Sequence, residues 1–143
     1  MPYIINEKTI LIEPAKAIDV ASYVHESNST YAVSKTPHEL INYACIIYWS
    51  TYEGRRNATM SQTYFKRLVP IPINPAKKII AIPTHSPNNY NNHWIFLSHV
   101  SDITDQTIYF KNNFSHTFKD ISNYQLNKQL ERATHLYFML QNK

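Results

Sequence analysis

The sequence predicts an α+β fold: a mostly antiparallel sheet with a central helix over about residues 37–50 and a C-terminal helix over about 122–141, in one domain spanning 1–143. Three observations point there. Short runs rich in β-branched and aromatic residues recur along the chain, broken by clusters of proline and asparagine. Thr36-Pro37-His38-Glu39 places a hydroxyl, a proline and a carboxylate at the spacing that starts a helix. Leu126, Leu130, Ala133, Tyr137 and Leu140 step by four, three, four and three, which makes one apolar helical stripe.

Taken in order, Tyr3–Ile5 and Thr9–Glu13 flank Asn6-Glu7-Lys8 and are expected to form a hairpin that Pro14 stops. Ile18–His25 and Ser29–Ser34 suggest a second hairpin. The capped helix then carries Leu40, Ala44 and Tyr48 beside Ile41, Cys45 and Trp49 on one wide stripe, and Cys45 reads as a small core hydrophobe. After it, Ser50 to Thr59 contains the chain's one glycine, Gly54, and is expected to be a flexible loop in which that glycine takes a positive φ. Four strands should follow: Val69–Ile73, Ile79–Ile82, Trp94–Val100 and Thr107–Lys111. Pro70 and Pro72 push the first to a sheet edge, and Ile79-Ile80-Ala81-Ile82, apolar on both faces, belongs inside. Asn112-Asn113 should turn the chain into Phe114–Phe118, and Ser122 with Gln125 should cap the last helix, whose seam packs on the chain's own sheet or forms a subunit interface.

Composition excludes several functions. One glycine cannot build a GxxxxGK, GxGxxG or GxSxG motif, and one cysteine cannot form an internal disulfide or a multi-cysteine metal site. The N-terminus lacks the basic and apolar stretches of a signal peptide, and the longest apolar run, Ala44 to Trp49, cannot span a bilayer, so a cytoplasmic protein is expected, nucleoid-associated if it binds DNA. The seven histidines include no pair at i, i+4, and no acid lies between residues 54 and 101. Neither a metal site nor a cofactor is therefore expected, and an enzyme is disfavoured. A small nuclease using His85 or His99 with a nearby cation is the one catalytic alternative.

Charge is distributed unevenly. Residues 1–53 carry three lysines against six acids, whereas residues 54–101 carry Arg55, Arg56, Lys66, Arg67, Lys77 and Lys78 and no acid. Such a stretch is either a solvated face or the footprint of a polyanion. Arg55, Arg56 and Asn57 together supply phosphate-binding cations and donors for base edges, and A·T pairs offer only acceptors in the minor groove. Lys66, Arg67, Lys77 and Lys78 would anchor phosphates. Neither helix carries enough cations to suit the major groove, which favours a loop reader.

These residues also resemble a known family. Ser50-Thr51-Tyr52-Glu53-Gly54-Arg55-Arg56-Asn57-Ala58-Thr59 is similar to the Ser-Ser-x-x-Gly-Arg-x-x-x-Thr signature of ComK, the competence transcription factor of low-GC Gram-positive bacteria. Pro70-Ile71-Pro72-Ile73, Ile82-Pro83-Thr84-His85-Ser86-Pro87 and Trp94-Ile95 with His99-Val100 resemble three further ComK strings in the same order. The family often has cysteine where His93 stands. The resemblance implies a transcriptional activator that binds paired A·T-rich boxes from the minor groove as a homo-oligomer. The expected DNA-binding residues are Tyr52, Gly54, Arg55, Arg56, Asn57, Thr59, Lys66, Arg67, Lys77 and Lys78. Implied partners are A·T-rich duplex DNA, further copies of the chain, RNA polymerase and a Clp-protease adaptor. ComK proteins continue into a charged tail used in proteolytic control, whereas this sequence stops at Lys143. That leaves a second reading, a shortened regulatory protein that pairs with a full-length activator or occupies the adaptor without activating transcription.

Overall fold

The computed structural model describes residues 2–142. Its elements run β1 (Thr9–Ala17), β2 (Val20–Glu26), β3 (Thr30–Val33), α1 (Pro37–Ile47), α2 (Tyr52–Gln62), β4 (Ile71–Asn74) and β5 (Ile79–Pro83). β6 (Trp94–Phe96), a 3₁₀ turn (Leu97–His99), β7 (Val100–Thr104), β8 (Thr107–Phe110), β9 (Ser115–Thr117) and α3 (Asn123–Gln141) complete the fold. The architecture is α+β, with every strand pair antiparallel. A six-stranded sheet has the order β3-β2-β1-β6-β5-β4, and a three-stranded sheet has the order β7-β8-β9. No helix among the described residues is long and apolar enough to cross a membrane.

Side-chain alternation splits the large sheet's residues between two cores. Ile12, Val24, Ile79, Ala81, Trp94 and Phe96 pack with α1 and with Tyr52 of α2. Leu11, Ile80, Ile82 and Ile95 face the other way, onto Ile108 and Phe110 of β8 and onto Leu126, Ala133 and Leu136 of α3. The predicted seam of α3 therefore packs on the chain's own sheets. β4 is an edge strand, as Pro72 within it and Pro70 just before it require, and all of β5 is buried.

The capping box that starts α1 is complete. Thr36 Oγ1 accepts from Glu39 N at 3.1 Å, and Glu39 Oε1 accepts from Thr36 N at 2.9 Å. The bond from the Thr36 amide holds the Glu39 carboxyl below its ordinary range. The Asn112-Asn113 turn also forms, with Asn113 at φ 71.

Several expectations are overturned. Tyr3–Ile5 is not a strand. Its Ile5 side chain enters the core, and its Tyr3 hydroxyl bonds Thr9 Oγ1 and Glu26 Oε2 at 2.7 and 2.6 Å. Pro14 does not stop β1. On the β6 side that strand pairs only at Leu11 and Ile12, so the missing Pro14 amide falls on a free edge and the pairing with β2 continues to Ala17. The predicted strand Trp94–Val100 is broken by the 3₁₀ turn, where the chain leaves the large sheet and starts the small one.

The helix 37–50 ends early, and the loop expected after it is a second helix. Tyr48 caps α1, Trp49 takes φ 70, and the Ser50 and Trp49 amides bond the Cys45 and Ile46 carbonyls at 2.9 and 3.0 Å. This is a Schellman closure with tryptophan in the place that glycine usually fills. Thr51 then caps α2, its Oγ1 accepting from Gly54 N at 2.9 Å. Gly54 has no positive φ and is not a hinge. What it supplies is space: a Cβ there would lie 2.7 Å from Ser50 Oγ and 3.1 Å from Thr51 Oγ1.

Candidate nucleic-acid interface

The ten predicted site residues divide according to how α2 rolls against the sheet. Tyr52 and Thr59 form its buried line. The Tyr52 ring stands edge-on to His38 and Trp94, with centroids 4.7 and 6.3 Å apart, and burial raises its hydroxyl pKa. Thr59 Oγ1 donates back to the Arg55 carbonyl at 3.0 Å. These two residues position the helix from inside.

Arg55 and Arg56 are about 100° apart around the helix and flank that line. Arg55 turns back to α1. Its Nη2 donates to the Tyr48 carbonyl at 2.7 Å and so satisfies one of the carbonyls that α1 leaves open, while its buried Nε has no partner among the described residues. Together with Lys78, Pro72, Thr59 and Leu136 it lines a groove of about 440 Å³. Arg56 leaves the other side and meets Lys66, Arg67, Ser86 and Pro87 around a cleft of about 150 Å³ whose lining holds no carboxylate. Neither arginine enters an ion pair among the described residues. Asn57 is exposed on the outer surface of α2.

The structure thus brings Arg56, Lys66 and Arg67 together, and Arg55 with Lys78. It does not gather all the cations into one patch. Lys77 lies apart in an exposed ion pair with Glu7, 3.3 Å long and worth no more than about 1 kcal/mol.

Both walls of the Arg56 cleft are held from behind. On α3, Gln129 Nε2 donates to the Leu68 and Pro83 carbonyls at 2.8 and 3.1 Å. Arg132 donates to the Arg67 and Leu68 carbonyls at 2.8 and 3.4 Å and to Gln129 Oε1, and it stacks 4.3 Å over the Phe65 ring. Burial lowers the pKa of its guanidinium. Leu68 reaches φ 49 in this grip. On the facing segment, Asn92 Oδ1 accepts from the Thr84 and His85 amides at 3.1 and 2.9 Å. His85 Nε2 donates to Asp120 Oδ2 at 2.7 Å, which pulls the Asp120 carboxyl below its ordinary range. His85 is thus tied to Asp120, and His99 donates to the Glu7 carbonyl at 2.7 Å.

The sequence reading missed Gln129 and Arg132 as supports. One signal was there: Gln129 stands on the apolar stripe of α3, three residues from Leu126, where a polar side chain needs a buried partner.

The sequence model of the ComK protein family matches residues 1–143. The chain belongs to the ComK family. A curated relative, the competence transcription factor of Bacillus subtilis (strain 168), is 28% identical over 102 residues, which cover 70% of this chain and 53% of the relative. The chain therefore spans about half the length of the curated relative it matches. No solved structure matches it. Two of the ComK-like strings meet at one feature: Tyr52 and Arg56 of the first line a single cleft with Pro83, Ser86 and Pro87 of the third.

Two other histidines gather elsewhere. Glu13, His93 and His116 offer ligand atoms all within 4.8 Å of one another, although their spacing in sequence suggests no site. Burial holds His93 down to about 4 and lowers His116 as well, while the bond from His25 lowers Glu13.

Proposed function

We propose that this ComK-family chain is a competence-type transcriptional activator that binds A·T-rich duplex DNA through the minor groove, using the face built on α2. The observation that carries the reading is the meeting of Arg56, Lys66 and Arg67 around one cleft with no carboxylate in its lining. Three uncompensated cations repel one another in the free protein, and a phosphate backbone relieves that repulsion. Arg56 flanks the buried line of α2 and Asn57 stands about 100° further round on its exposed side, so phosphate contacts and donors for adenine N3 or thymine O2 come from one rigid element. Arg55, bound to Tyr48, supports the junction and lends charge to its edge. The named function of the curated relative agrees with this reading.

Assembly of more than one copy on paired boxes is part of the proposal. Ile46, Ile47 and Trp49 are exposed at the C-terminal end of α1, beside α2, and form an apolar patch suited to a subunit contact.

The test is equilibrium binding to an A·T-box duplex and a G·C-rich duplex over a range of salt. Tighter A·T binding is expected, with competition from a minor-groove ligand such as netropsin. Four neutralised phosphates per protomer give a log–log salt slope near about −3.6, roughly doubled for a dimer. Equal affinity for both duplexes without competition overturns the minor-groove reading. Loss of a full-length relative's shift on mixing, with no duplex binding by this chain alone, would favour the regulatory reading instead.

A further inference from the structure

The cluster at Glu13 lies between the two sheets and belongs to no part of the duplex reading. β1 and β6 pair as Leu11↔Ile95 and Ile12↔Trp94, so the next step along the ladder sets Glu13 beside His93. Alternation sends both side chains to the face shared by Leu11 and Ile95, under the small sheet. β9 brings His116 onto them: the two imidazole centroids are 4.9 Å apart, and both rings pack against Phe118 at 5.0 and 4.7 Å. One carboxylate oxygen and two ring nitrogens thereby fall within 4.8 Å of one another, on three half-buried residues.

The surroundings are those of a supported ligand set. His93 Nδ1 is 2.8 Å from the Asn91 carbonyl, which can only accept, so the proton sits on Nδ1 and the Nε2 lone pair is free. His25 Nε2 donates to Glu13 Oε1 at 2.7 Å, and its Nδ1 is 3.0 Å from Thr30 Oγ1. One oxygen of Glu13 is thus fixed and the other is left available. Metal-bound histidines and carboxylates are oriented by outer partners of this kind.

We propose that Glu13, His93 and His116 bind one divalent cation of the zinc class, with water in the fourth position and His25 and the Asn91 carbonyl as outer supports. Two imidazoles and one carboxylate are a donor set zinc accepts, and imidazole is a ligand that suits zinc. In a tetrahedral zinc site the ligand atoms lie about 3.3 Å apart, so the three groups close by roughly an ångström on binding. Because the ligands come from β1, the start of β6 and β9, the ion clamps the outer strand of the small sheet to the central sheet.

The experiment uses the whole chain without a histidine tag, stripped with chelator and titrated with zinc chloride by calorimetry and thermal denaturation. One site per chain is expected, together with a rise in Tm. Cobalt should give the visible absorption of a tetrahedral site. His116→Gln, at a partly exposed strand position, and Glu13→Gln should each abolish stoichiometric binding. His25→Gln should weaken it by about 10- to 100-fold. His135→Gln, on α3, should bind as the unaltered chain does. Absence of a saturable site overturns the proposal, and so does binding that survives in both His116→Gln and Glu13→Gln. Because the readout is metal and not duplex, either outcome leaves the DNA reading to its own test.

Discussion

The cations around α2 and the histidines around Glu13 are held in opposite ways. Arg55 and Arg132 donate to main-chain carbonyls, neutral acceptors that orient a guanidinium without cancelling its charge. Arg56, Lys66 and Arg67 line their cleft with no carboxylate among them. The histidines meet a carboxylate and one another, and burial lowers the pKa of both His93 and His116. The first arrangement leaves its positive charge without a carboxylate in the cleft lining. The second is compensated from within and offers lone pairs instead. A basic patch and a histidine cluster are thus different devices even when both lie on one small sheet protein.

The largest expected effect breaks the support of the first device. Arg132→Ala removes two carbonyl bonds, the bond to Gln129 and the stacking on Phe65. It should cost about 2–3 kcal/mol of stability by urea denaturation. Arg132→Lys should recover little, since one ammonium cannot reproduce the planar fork. If Arg132→Ala unfolds at the same urea concentration as the parent, α3 is not what holds the 63–69 segment.

Next comes the charge itself. Arg56→Ala should weaken A·T-box binding by about 1–3 kcal/mol and relax discrimination, whereas Lys66→Ala should weaken all duplexes alike and reduce the salt slope by about 1. Lys77→Ala should do less than either, because Lys77 is already paired with Glu7. Equal losses for all three variants would mean that the cleft has no privileged place on the face.

Spectroscopy sharpens the location. Of the two tryptophans, Trp49 is 96% exposed and Trp94 is fully buried. Emission from Trp49, at the α1–α2 junction, should be shielded from acrylamide when an A·T duplex binds, and Trp49→Phe should remove the effect. Unchanged quenching would place the duplex away from α2.

How much of this could be read from the sequence depended on whether the deciding force was local. Thr36 and Glu39 close their capping box within four residues, and the α3 stripe is a simple periodicity, so both were legible. The edge position of β4 followed from Pro70 and Pro72 alone. β7 was missed because Ser101, Asp102 and Thr104 look like loop residues until β8 lies beside them. The site was half legible. The acid-free charge segment picked out Arg56, Lys66 and Arg67, which the structure brings together, but adjacency in sequence hid that Arg55 and Arg56 diverge around a helix. Glu13, His93 and His116 come from three separate strand regions, and only the register of the sheets joins them.

The smallest predicted effect separates a hinge from a helix. Were Gly54 a flexible joint with positive φ, Gly54→Ala would strain the backbone and move the arginines. In α2 it occupies the first turn with no positive φ, so alanine gains up to about 1 kcal/mol of helix propensity. Against that stands the new Cβ, 2.7 Å from Ser50 Oγ and 3.1 Å from Thr51 Oγ1. The Ser50 hydroxyl can swing aside by rotating its χ1. Thr51 Oγ1 cannot, because it holds the Gly54 amide as the cap of α2. The two effects should nearly cancel, leaving stability within about 1 kcal/mol of the parent and duplex affinity within twofold. Removing the obstructing hydroxyl in a Ser50→Ala, Gly54→Ala double variant should recover the propensity gain, and the cycle of single and double variants reads the clash directly. A large loss of duplex binding in Gly54→Ala at unchanged stability would return the glycine to its role as a joint, and the two arginines to a mobile loop.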